Sequence, residues 1–257
     1  MSHLFAGTSG WNYKNWRGSF YPEDLSPKKY LSFYARNFCT AEVNYSFYHM
    51  PRVTTYENWY ATAPDGFTFA LKLSRFITHI KRLKDVRQPW TDFLSGARSL
   101  KEKLGPILLQ FPPTFRGGDD QVNRVNEFLG YAARDVRIAF EFRHESCFEA
   151  PMLSALRDHG AALVIGQSSR FPVPPLIATA PFIYFRFHGP REWCSSAYSE
   201  AELSEWASKI RSFVERGLDA YAYFNNDARC DAAPNAKRLR EIVEGAADDT
   251  VSARASG

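Results

Sequence analysis

Charged side chains near the ends of short apolar runs supply this sequence with acid–base groups. Glu42 and Glu141 are two carboxylates in such positions, and carboxylates in different surroundings can divide the roles of proton donor and proton acceptor. His188 titrates near neutral pH and could carry or orient a proton. We therefore predict Glu42, Glu141 and His188 as catalytic residues. The open alternative is that the carboxylates form buried ion pairs that only hold loops in place, and that His188 is hydrogen-bonded to one of them.

Basic side chains near the same strand ends favour an anionic ligand. An arginine can bind a carboxylate or phosphate through two parallel hydrogen bonds. Lys72, Arg143 and Arg186, counted against Glu42 and Glu141, give three positive and two negative groups, a small positive excess. The predicted partner is an anionic small molecule, phosphorylated or carboxylated. Further polar and aromatic residues predicted to bind it are Thr8, Ser9, Trp11, Asn44, His79, Gln110, Asn225 and Asn226.

The most basic stretch of the chain follows Lys72 and contains Arg75, His79, Lys81, Arg82, Lys84 and Arg87. Such a charge run is commonly a solvated face, but it could also steer an anionic substrate towards the site. Aromatic residues are expected on neighbouring loops at Trp11, Tyr13, Trp16, Phe47, Tyr48 and Phe76. Because basic residues interleaved with aromatic ones can track phosphates and stack bases, the alternative function is a nucleic-acid-binding or nucleic-acid-processing protein that uses the basic loop 75–87. A barrel that binds without catalysis is a third alternative.

No cofactor motif is recognisable, and we predict no cofactor. Gly7-Thr8-Ser9-Gly10 matches neither the dinucleotide-binding pattern nor the P-loop. A divalent metal held by Glu42, Glu141, His188 and Asn225 is chemically possible, but no motif concentrates metal ligands. The cysteines are far apart and form no CxxC pair, which predicts reduced thiols at Cys39, Cys147, Cys194 and Cys230.

The elements that must position these residues alternate between strand and helix. Short runs rich in Val, Ile, Phe and Tyr predict eight strands at Leu4–Ser9, Thr40–Asn44, Phe67–Leu73, Pro106–Phe111, Arg137–Arg143, Ala161–Gly166, Phe182–His188 and Ala220–Asn225. Helical apolar spacing predicts helices at Pro27–Asn37, Thr54–Ala63, Trp90–Lys103, Gln121–Ala133, Met152–His159, Ser199–Arg216 and Pro234–Glu244. This alternation implies parallel strands with right-handed crossovers, and 257 residues fit a single (β/α)8 TIM barrel.

The predicted strand ends should meet at one mouth of the barrel. Residues two apart on a strand point to the same face. The residues predicted to share a face in this way are Glu42 and Asn44, Glu141 and Arg143, Arg186 and His188, and Tyr223 and Asn225. Ligands of TIM barrels bind at the C-terminal ends of the strands. The connection Gln167–Pro181 contains Phe171-Pro172-Val173-Pro174-Pro175, which cannot continue a helix. We therefore expect a loop in place of the helix after strand six.

Composition and charge limit the class of protein. The chain has 45% hydrophobic and 23% charged residues, which is typical of a folded globular domain, and its formal net charge of +4 does not by itself indicate a nucleic-acid protein. No signal peptide or membrane-spanning stretch is recognisable, so we expect a cytoplasmic protein with no membrane partner. Residues 1–244 are assigned to the barrel and residues 245–257 to a disordered C-terminal tail. The sequence does not indicate an oligomeric state.

Several short motifs resemble those of a known family in type and order. They are Gly7-Thr8-Ser9-Gly10-Trp11, Phe20-Tyr21-Pro22, Glu42-Val43-Asn44, Leu104-Gly105-Pro106, Phe140-Glu141-Phe142-Arg143-His144, Arg186-Phe187-His188-Gly189 and Tyr223-Phe224-Asn225-Asn226-Asp227. From Leu4 to Glu244 the chain resembles the YecE-like family, also called domain of unknown function 72. The resemblance implies a TIM-barrel fold and a site at the strand ends, and it implies no particular reaction. Two departures from the family pattern are Cys147, usually an aromatic residue, and Arg229-Cys230-Asp231, usually a Gly-rich stretch.

Overall fold

Eight parallel strands form the centre of the molecule. The computed structural model describes residues 2–132 and 134–254, with residues 246–254 described by their backbone alone. The strands are β1 Leu4–Thr8, β2 Thr40–Val43, β3 Thr68–Lys72, β4 Leu104–Gln110, β5 Ile138–Glu141, β6 Ala162–Gln167, β7 Phe182–Phe187 and β8 Asp219–Phe224. Their order in the sheet is β1-β8-β7-β6-β5-β4-β3-β2, and every pair of neighbours is parallel. This nearly closed barrel confirms the predicted TIM-barrel fold class.

Helices surround the barrel. They are α1 Tyr30–Tyr34, α2 Tyr45–Tyr48, α3 Val53–Thr62, α4 Arg87–Ala97, α5 Asp119–Tyr131, α6 Ala150–Asp158, α7 Glu200–Val214 and α8 Ala232–Arg254. Residues 168–181, all of which the structure describes, contain no helix, which confirms the predicted loop after β6. Within the described ranges, no helix combines the length and the apolar character needed to cross a bilayer.

The predicted strands all match observed ones, whereas several short helical segments were not predicted. These are α2, the 3-10 segments Lys14–Trp16 and Glu145–Phe148, and the π-helical turn Phe76–Ile80. One or two turns are too short to show a helical apolar period. At the other end of the chain, α8 continues to Arg254, past the predicted end at Glu244. Residues 255–257 of the predicted tail lie outside the described residues.

The two ends of the strand order, β1 and β2, are joined through a tyrosine hydroxyl. Tyr34 Oη accepts a hydrogen bond from the Thr8 backbone N–H at 2.9 Å and donates one to the Thr40 carbonyl at 3.0 Å. A Cβ on Gly7 would lie 2.4 Å from the Thr40 carbonyl oxygen, so only glycine allows the strands to approach this closely. Gly7 and Tyr34 therefore close the barrel at this seam.

The inward faces of the strands change from apolar to polar towards their C-terminal ends. The apolar layer inside the barrel consists of Ala70, Leu108, Ala139, Ala162, Val164, Phe182, Tyr184, Tyr221 and Tyr223. Residues two positions further along a strand share the same face. The alternation therefore places Lys72, Gln110, Glu141 and Arg186 directly above the apolar layer, at the mouth of the barrel.

Candidate functional site

Arg186 lies at the centre of the mouth and binds both predicted catalytic carboxylates. Its Nε and Nη2 donate to the two oxygens of Glu42 at 2.9 and 2.7 Å, and its Nη1 donates to Glu141 Oε2 at 2.5 Å. The Arg186 side chain is 1% exposed. Burial disfavours the charged guanidinium, but Glu42 and Glu141 outweigh that effect and raise the pKa of Arg186. The structure thus brings together Glu42 of β2, Glu141 of β5 and Arg186 of β7.

Glu42 has no free acceptor position. Besides the two bonds from Arg186, its Oε1 accepts a hydrogen bond from Ser9 Oγ and its Oε2 accepts one from Tyr184 Oη, both at 2.7 Å. A carboxylate offers about four acceptor positions, and here all four are taken by residues of the chain. Glu42 is also completely buried. This geometry favours the ion-pair role that the sequence left open for Glu42, and a proton-transfer role stays a prediction.

Glu141 links Arg186 to a second arginine at the rim. Arg143 Nε donates to Glu141 Oε1 at 2.9 Å, and the Arg143 guanidinium packs against the rings of Phe171 and Trp193 at 4.5 and 5.2 Å. Burial opposes ionisation of Glu141, but Arg186 and Arg143 outweigh burial and hold its pKa well below the ordinary value. Glu141 is therefore an anion at neutral pH, and it fixes the position of Arg143.

Lys72 is a buried cation of the mouth that has no ion-pair partner among the described residues. The residue is 9% exposed, and no carboxylate oxygen of the described residues lies within 4.0 Å of its Nζ. The Nζ lies 4.2 Å from the centre of the Phe47 ring, which partly offsets the missing charge partner. Burial, together with the charge of Arg186, lowers the pKa of Lys72 to about 7. Both the ammonium and the neutral amine are therefore present near neutral pH.

His79 and Gln110 form a small polar group beside Lys72. Gln110 Nε2 donates to the Phe111 carbonyl at 2.9 Å and contacts His79 Nε2 at 3.4 Å, while His79 Nδ1 lies 3.0 Å from Thr78 Oγ1. These contacts assign the proton to Nδ1 of His79. Burial and the charge of Lys72 lower the pKa of His79 to about 4. His79 is therefore neutral at physiological pH and does not compete with Lys72 for a proton there.

His188 is buried beneath Trp193 and carries a donor without a partner. Asn225 Nδ2 donates to His188 Nδ1 at 3.1 Å, so the ring proton lies on Nε2. That Nε2 is buried and has no hydrogen-bond partner among the described residues. The Trp193 ring stacks on the imidazole at 4.5 Å, and burial and Arg186 lower the pKa of His188 well below its ordinary value. His188 is thus a neutral hydrogen-bond donor, and its predicted catalytic role stays a prediction.

Most of the predicted binding residues line one open cavity of about 590 Å³ at the C-terminal ends of the strands, here called the mouth cavity. Its lining is Tyr13, Asn44, Phe47, Tyr48, Lys72, Arg75, His79, Gln110, Arg143, Arg186, Trp193, Cys194 and Asn225. Among the described residues the lining contains four basic side chains besides His79 and no carboxylate, since Glu42 and Glu141 are buried against Arg186. The mouth cavity is therefore positively charged at neutral pH.

Four predicted binding residues do not line this cavity. Thr8 Oγ1 donates to the Gly10 carbonyl at 2.6 Å, and Ser9 is bonded to Glu42, so both hold the β1 end in place. Asn226 is buried and donates from Nδ2 to the Ser196 carbonyl at 3.0 Å and to Asn235 Oδ1 at 2.9 Å. Trp11 lines a neighbouring cavity.

The site also contains residues that were not predicted from the sequence, because the prediction considered the C-terminal ends of the strands. Phe171 and Trp193, which stack on Arg143, come from long loops whose path no local pattern specifies. Tyr184, which binds Glu42, was recognisable in principle because it shares the inward face with Arg186. Cys194 also lines the mouth cavity, and burial raises the pKa of its thiol, so it is protonated at neutral pH.

The basic segment after β3 forms a strained, exposed loop. The turn Phe76–Ile80 is followed by positive φ angles at Arg82, Leu83 and Asp85, of 48°, 65° and 53°. Within the described chain, none of its basic side chains has a carboxylate oxygen within 4.0 Å: Arg75, Lys81, Arg82, Lys84 and Arg87. Arg75 lines the mouth cavity, which connects this loop to the site.

Metal ligands are not clustered in the described part of the chain. No group of three or more His, Cys, Asp or Glu side chains is arranged there to hold an ion. The predicted alternative of Glu42, Glu141, His188 and Asn225 fits a metal poorly, because both carboxylates already bind arginine and His188 Nδ1 accepts from Asn225. All four cysteines are free thiols, as predicted.

A TIM barrel with a basic cavity at the C-terminal mouth is the class that fold and site define. The chain belongs to the family described as "Protein of unknown function DUF72", whose profile matches residues 5–256. It is similar to "UPF0759 protein YunF" of Bacillus subtilis (strain 168), with 25% identity over 94% of this chain and 95% of that protein. The "UPF0759 protein YecE" of Escherichia coli (strain K12) is 29% identical over 60% of this chain and 66% of that protein.

Solved structures of the same family share the fold. A DUF72 family protein from Thermotoga maritima MSB8 superposes with a TM-score of 0.82 at 27% identity, covering 94% of this chain and 99% of that one. A DUF72 family protein from Enterococcus faecalis V583 superposes with a TM-score of 0.81 at 21% identity, covering 94% and 95%. These similarities confirm the family that the sequence motifs resemble.

Proposed function

We propose that this chain is an enzyme that binds an anionic small molecule in the mouth cavity and transfers a proton through Lys72. The observation that carries the proposal is the isolation of Lys72, which is buried at the cavity wall and has no carboxylate partner in the described part of the chain. The charges of Glu42 and Glu141 are balanced by Arg186 and Arg143. Of the five residues Glu42, Lys72, Glu141, Arg143 and Arg186, Lys72 is therefore the one left without a charge partner in the described chain, and an anion in the cavity would supply one.

The acid–base properties of Lys72 support proton transfer. A general acid or base works best when its pKa lies near the working pH. The pKa of Lys72, lowered to about 7, meets that condition, whereas Glu141 stays ionised and His79 stays neutral over the same range. The proposal therefore moves the proton-transfer role from the two carboxylates to Lys72 and gives Glu42 and Glu141 the task of holding the arginines.

Arg143 is the second group that would bind the anion. Its Nε is occupied by Glu141, and its guanidinium is held in place by Phe171 and Trp193. Nη1 and Nη2 of Arg143 have no hydrogen-bond partner among the residues the structure describes. Because these two nitrogens form a planar fork, they suit a carboxylate or phosphate group. The substrate class that follows is a phosphorylated or carboxylated small molecule.

The proposal is tested by ligand screening followed by turnover. Phosphorylated and carboxylated metabolites are screened by thermal shift, and binders are then assayed for conversion. We expect Lys72→Met to fold, to lose turnover by about 100-fold or more, and to bind the anion more weakly. Lys81→Met, in the exposed loop beyond the site, is the matched control and should behave like the wild type. Turnover retained in Lys72→Met would contradict the role of Lys72, and a wild type that binds no anion would contradict the whole proposal.

A nucleic acid is the second candidate ligand, favoured by the exposed loop. The basic side chains of loop 75–87 lack carboxylate partners in the described chain, and Phe76 and Tyr48 beside them are 41% and 70% exposed. Exposed aromatic rings next to free cations can stack bases and contact phosphates. Neutralising Lys81, Arg82 and Lys84 together should then weaken oligonucleotide binding and lower its salt dependence by about one unit of slope per lost phosphate contact. Oligonucleotide binding that is absent at low salt would refute this candidate.

A further inference from the structure

A second cavity of about 410 Å³ adjoins the mouth cavity and differs from it in chemistry. Its lining is Gly10, Trp11, Asn12, Tyr13, Val43, Asn44, Tyr45, Thr55 and Trp59. Tyr13 and Asn44 line both cavities, so the two are neighbours that share part of their walls. Among the described residues no charged side chain lines the second cavity, whereas the mouth cavity is basic. Here the second cavity is called the aromatic cavity.

The wall of the aromatic cavity is built from fixed tryptophan rings. The rings of Trp11 and Trp59 meet edge to face at 5.7 Å, and both pack on the buried ring of Phe69, at 5.8 and 6.2 Å. Trp11 and Trp59 are half-buried, so part of each ring stays accessible. Aromatic side chains held by such contacts offer flat apolar surface at little further cost in side-chain entropy. This wall suits a planar, uncharged ring.

An acceptor without a partner lies at the junction of the two cavities. Asn44 Nδ2 donates to the Ser9 carbonyl at 3.2 Å, and Tyr13 Oη donates to the same carbonyl. Because a carbonyl can only accept, this contact fixes the Asn44 amide with Oδ1 on the other side. Asn44 Oδ1 is buried and has no hydrogen-bond partner in the described chain. An acceptor left unpaired in this way is costly, and because Oδ1 has almost no accessible surface, a ligand N–H or O–H at the junction would satisfy it after a small shift of the side chains that cover it.

We propose that the ligand is bipartite, with an anionic group held by Lys72 and Arg143 and a planar ring seated against Trp11 and Trp59. A donor on the ring or beside it bonds to Asn44 Oδ1. This inference rests on the proposed function for its anionic half and adds the ring. The ligand class is an aryl or nucleoside monophosphate, whether it is free or forms one unit of a strand.

The test uses the intact protein at pH 6.5 and isothermal titration with five probes. The probes are inorganic phosphate, adenosine, adenosine monophosphate, purine riboside monophosphate, which lacks the exocyclic amine, and a short oligoadenylate. Thr55→Trp fills the aromatic cavity from the half-exposed side of α3 without touching the cations. Glu57→Trp, exposed on the same helix, is the matched control. Both variants should unfold at the same temperature as the wild type within a few degrees.

We expect adenosine monophosphate to bind at least about tenfold more tightly than phosphate, the gain that stacking one base supplies. Thr55→Trp should abolish that gain while leaving phosphate binding unchanged, and Glu57→Trp should preserve it. Equal affinities for phosphate and adenosine monophosphate, or equal effects of the two variants, would overturn the inference. Equal affinities for the two nucleotides would overturn the donor assigned to Asn44.

The remaining outcomes separate this inference from the proposed function. If phosphate does not bind, the proposed anion site at Lys72 and Arg143 is wrong. Adenosine that binds to the wild type but not to Thr55→Trp would still support a ring site in the aromatic cavity. If neither adenosine nor its monophosphate binds, the inference is overturned whatever phosphate does. If oligoadenylate binds about tenfold more tightly than adenosine monophosphate and Thr55→Trp weakens both, the ligand is one unit of a nucleic-acid strand. If adenosine monophosphate binds more tightly than oligoadenylate, the ligand is a free nucleotide.

Discussion

The affinity of the mouth cavity for an anion should depend on one proton, that of Lys72. The pKa of Lys72 is lowered to about 7, so about 90% of the side chains are protonated at pH 6 and about 1% at pH 9. If the anion requires the ammonium form, its affinity should fall about 100-fold between these two pH values. At pH 8, where about 90% of Lys72 is neutral, binding should take up close to one proton.

Sulfate is the probe of choice because its charge is constant between pH 6 and pH 9. Isothermal titration in buffers of different ionisation enthalpy gives the affinity and the number of protons taken up. Lys72→Arg keeps its charge throughout this range, so the variant should bind sulfate with a nearly flat pH profile and no proton uptake. Lys72→Met should bind sulfate weakly at every pH. This variant tests the same prediction if the larger arginine side chain of Lys72→Arg does not fit the site.

Other titratable groups near the site do not explain a pH-dependent sulfate affinity with proton uptake between pH 6 and pH 9. The pKa of His79 is lowered to about 4, and that of His188 lies well below its ordinary value, so neither titrates in the range. Burial raises the pKa of Asp227 to about 7, but its carboxylate binds the Trp16 indole outside the mouth cavity, and Asp227→Asn is the control for it. A wild type whose sulfate affinity is flat from pH 6 to pH 9, or that takes up no proton at pH 8, would refute the reasoning.

Three further predictions concern stability and are measured by urea denaturation. Arg186→Met leaves Glu42 as a buried carboxylate without a cation and leaves Glu141 with Arg143 alone, and it should cost about 3 to 5 kcal/mol, so a loss below about 1 kcal/mol would contradict the ion-pair geometry. Tyr34→Phe removes the hydroxyl that joins β1 to β2 and should cost about 1 to 3 kcal/mol, with an unchanged stability as the contrary result. Because the folded pKa of Lys72 lies below its unfolded value, the unfolded chain binds more protons between pH 7 and about 10.5, and wild-type stability should gain with rising pH relative to Lys72→Met. A constant difference between these two proteins over that range would show that Lys72 is not destabilised by burial.

The fold could be predicted because the strand patterns, the helix patterns and their alternation along the chain all indicate the same architecture. Strands β4 and β7 are apolar up to one polar residue near the C-terminal end, Gln110 and Arg186, and such apolar runs are typical of parallel strands buried on both faces. The two-residue alternation also predicted that Glu141 and Arg186 would lie at one mouth. These inferences need only the period of a strand and the parallel direction of the sheet.

The details of the site depend on distances between strands, and these could not be read from the sequence. Whether Glu42 meets Ser9 and Tyr184 is decided by the stagger of β1, β2 and β7 around the barrel. Likewise, the isolation of Lys72 depends on which arginine captures which carboxylate. Counting five charged residues gave an excess of one positive group, and the geometry leaves Lys72 as the member of that set without an ion-pair partner in the described chain.

The paired charges and the unpaired lysine have different consequences for a bound anion. The group Glu42, Arg186, Glu141 and Arg143 pairs two carboxylates with two guanidinium groups and is locked by its own hydrogen bonds, so it orients the Arg143 fork. The charge of the cavity therefore changes with a single proton on Lys72. Under the proposed function, an arriving anion raises the pKa of Lys72 and keeps that proton in place. A reaction that moves negative charge away from Lys72 lowers the pKa again, and the proton becomes available to the substrate at the moment when the partner charge is lost. Anion binding and proton transfer therefore both follow from the lack of a carboxylate partner for Lys72 among the described residues.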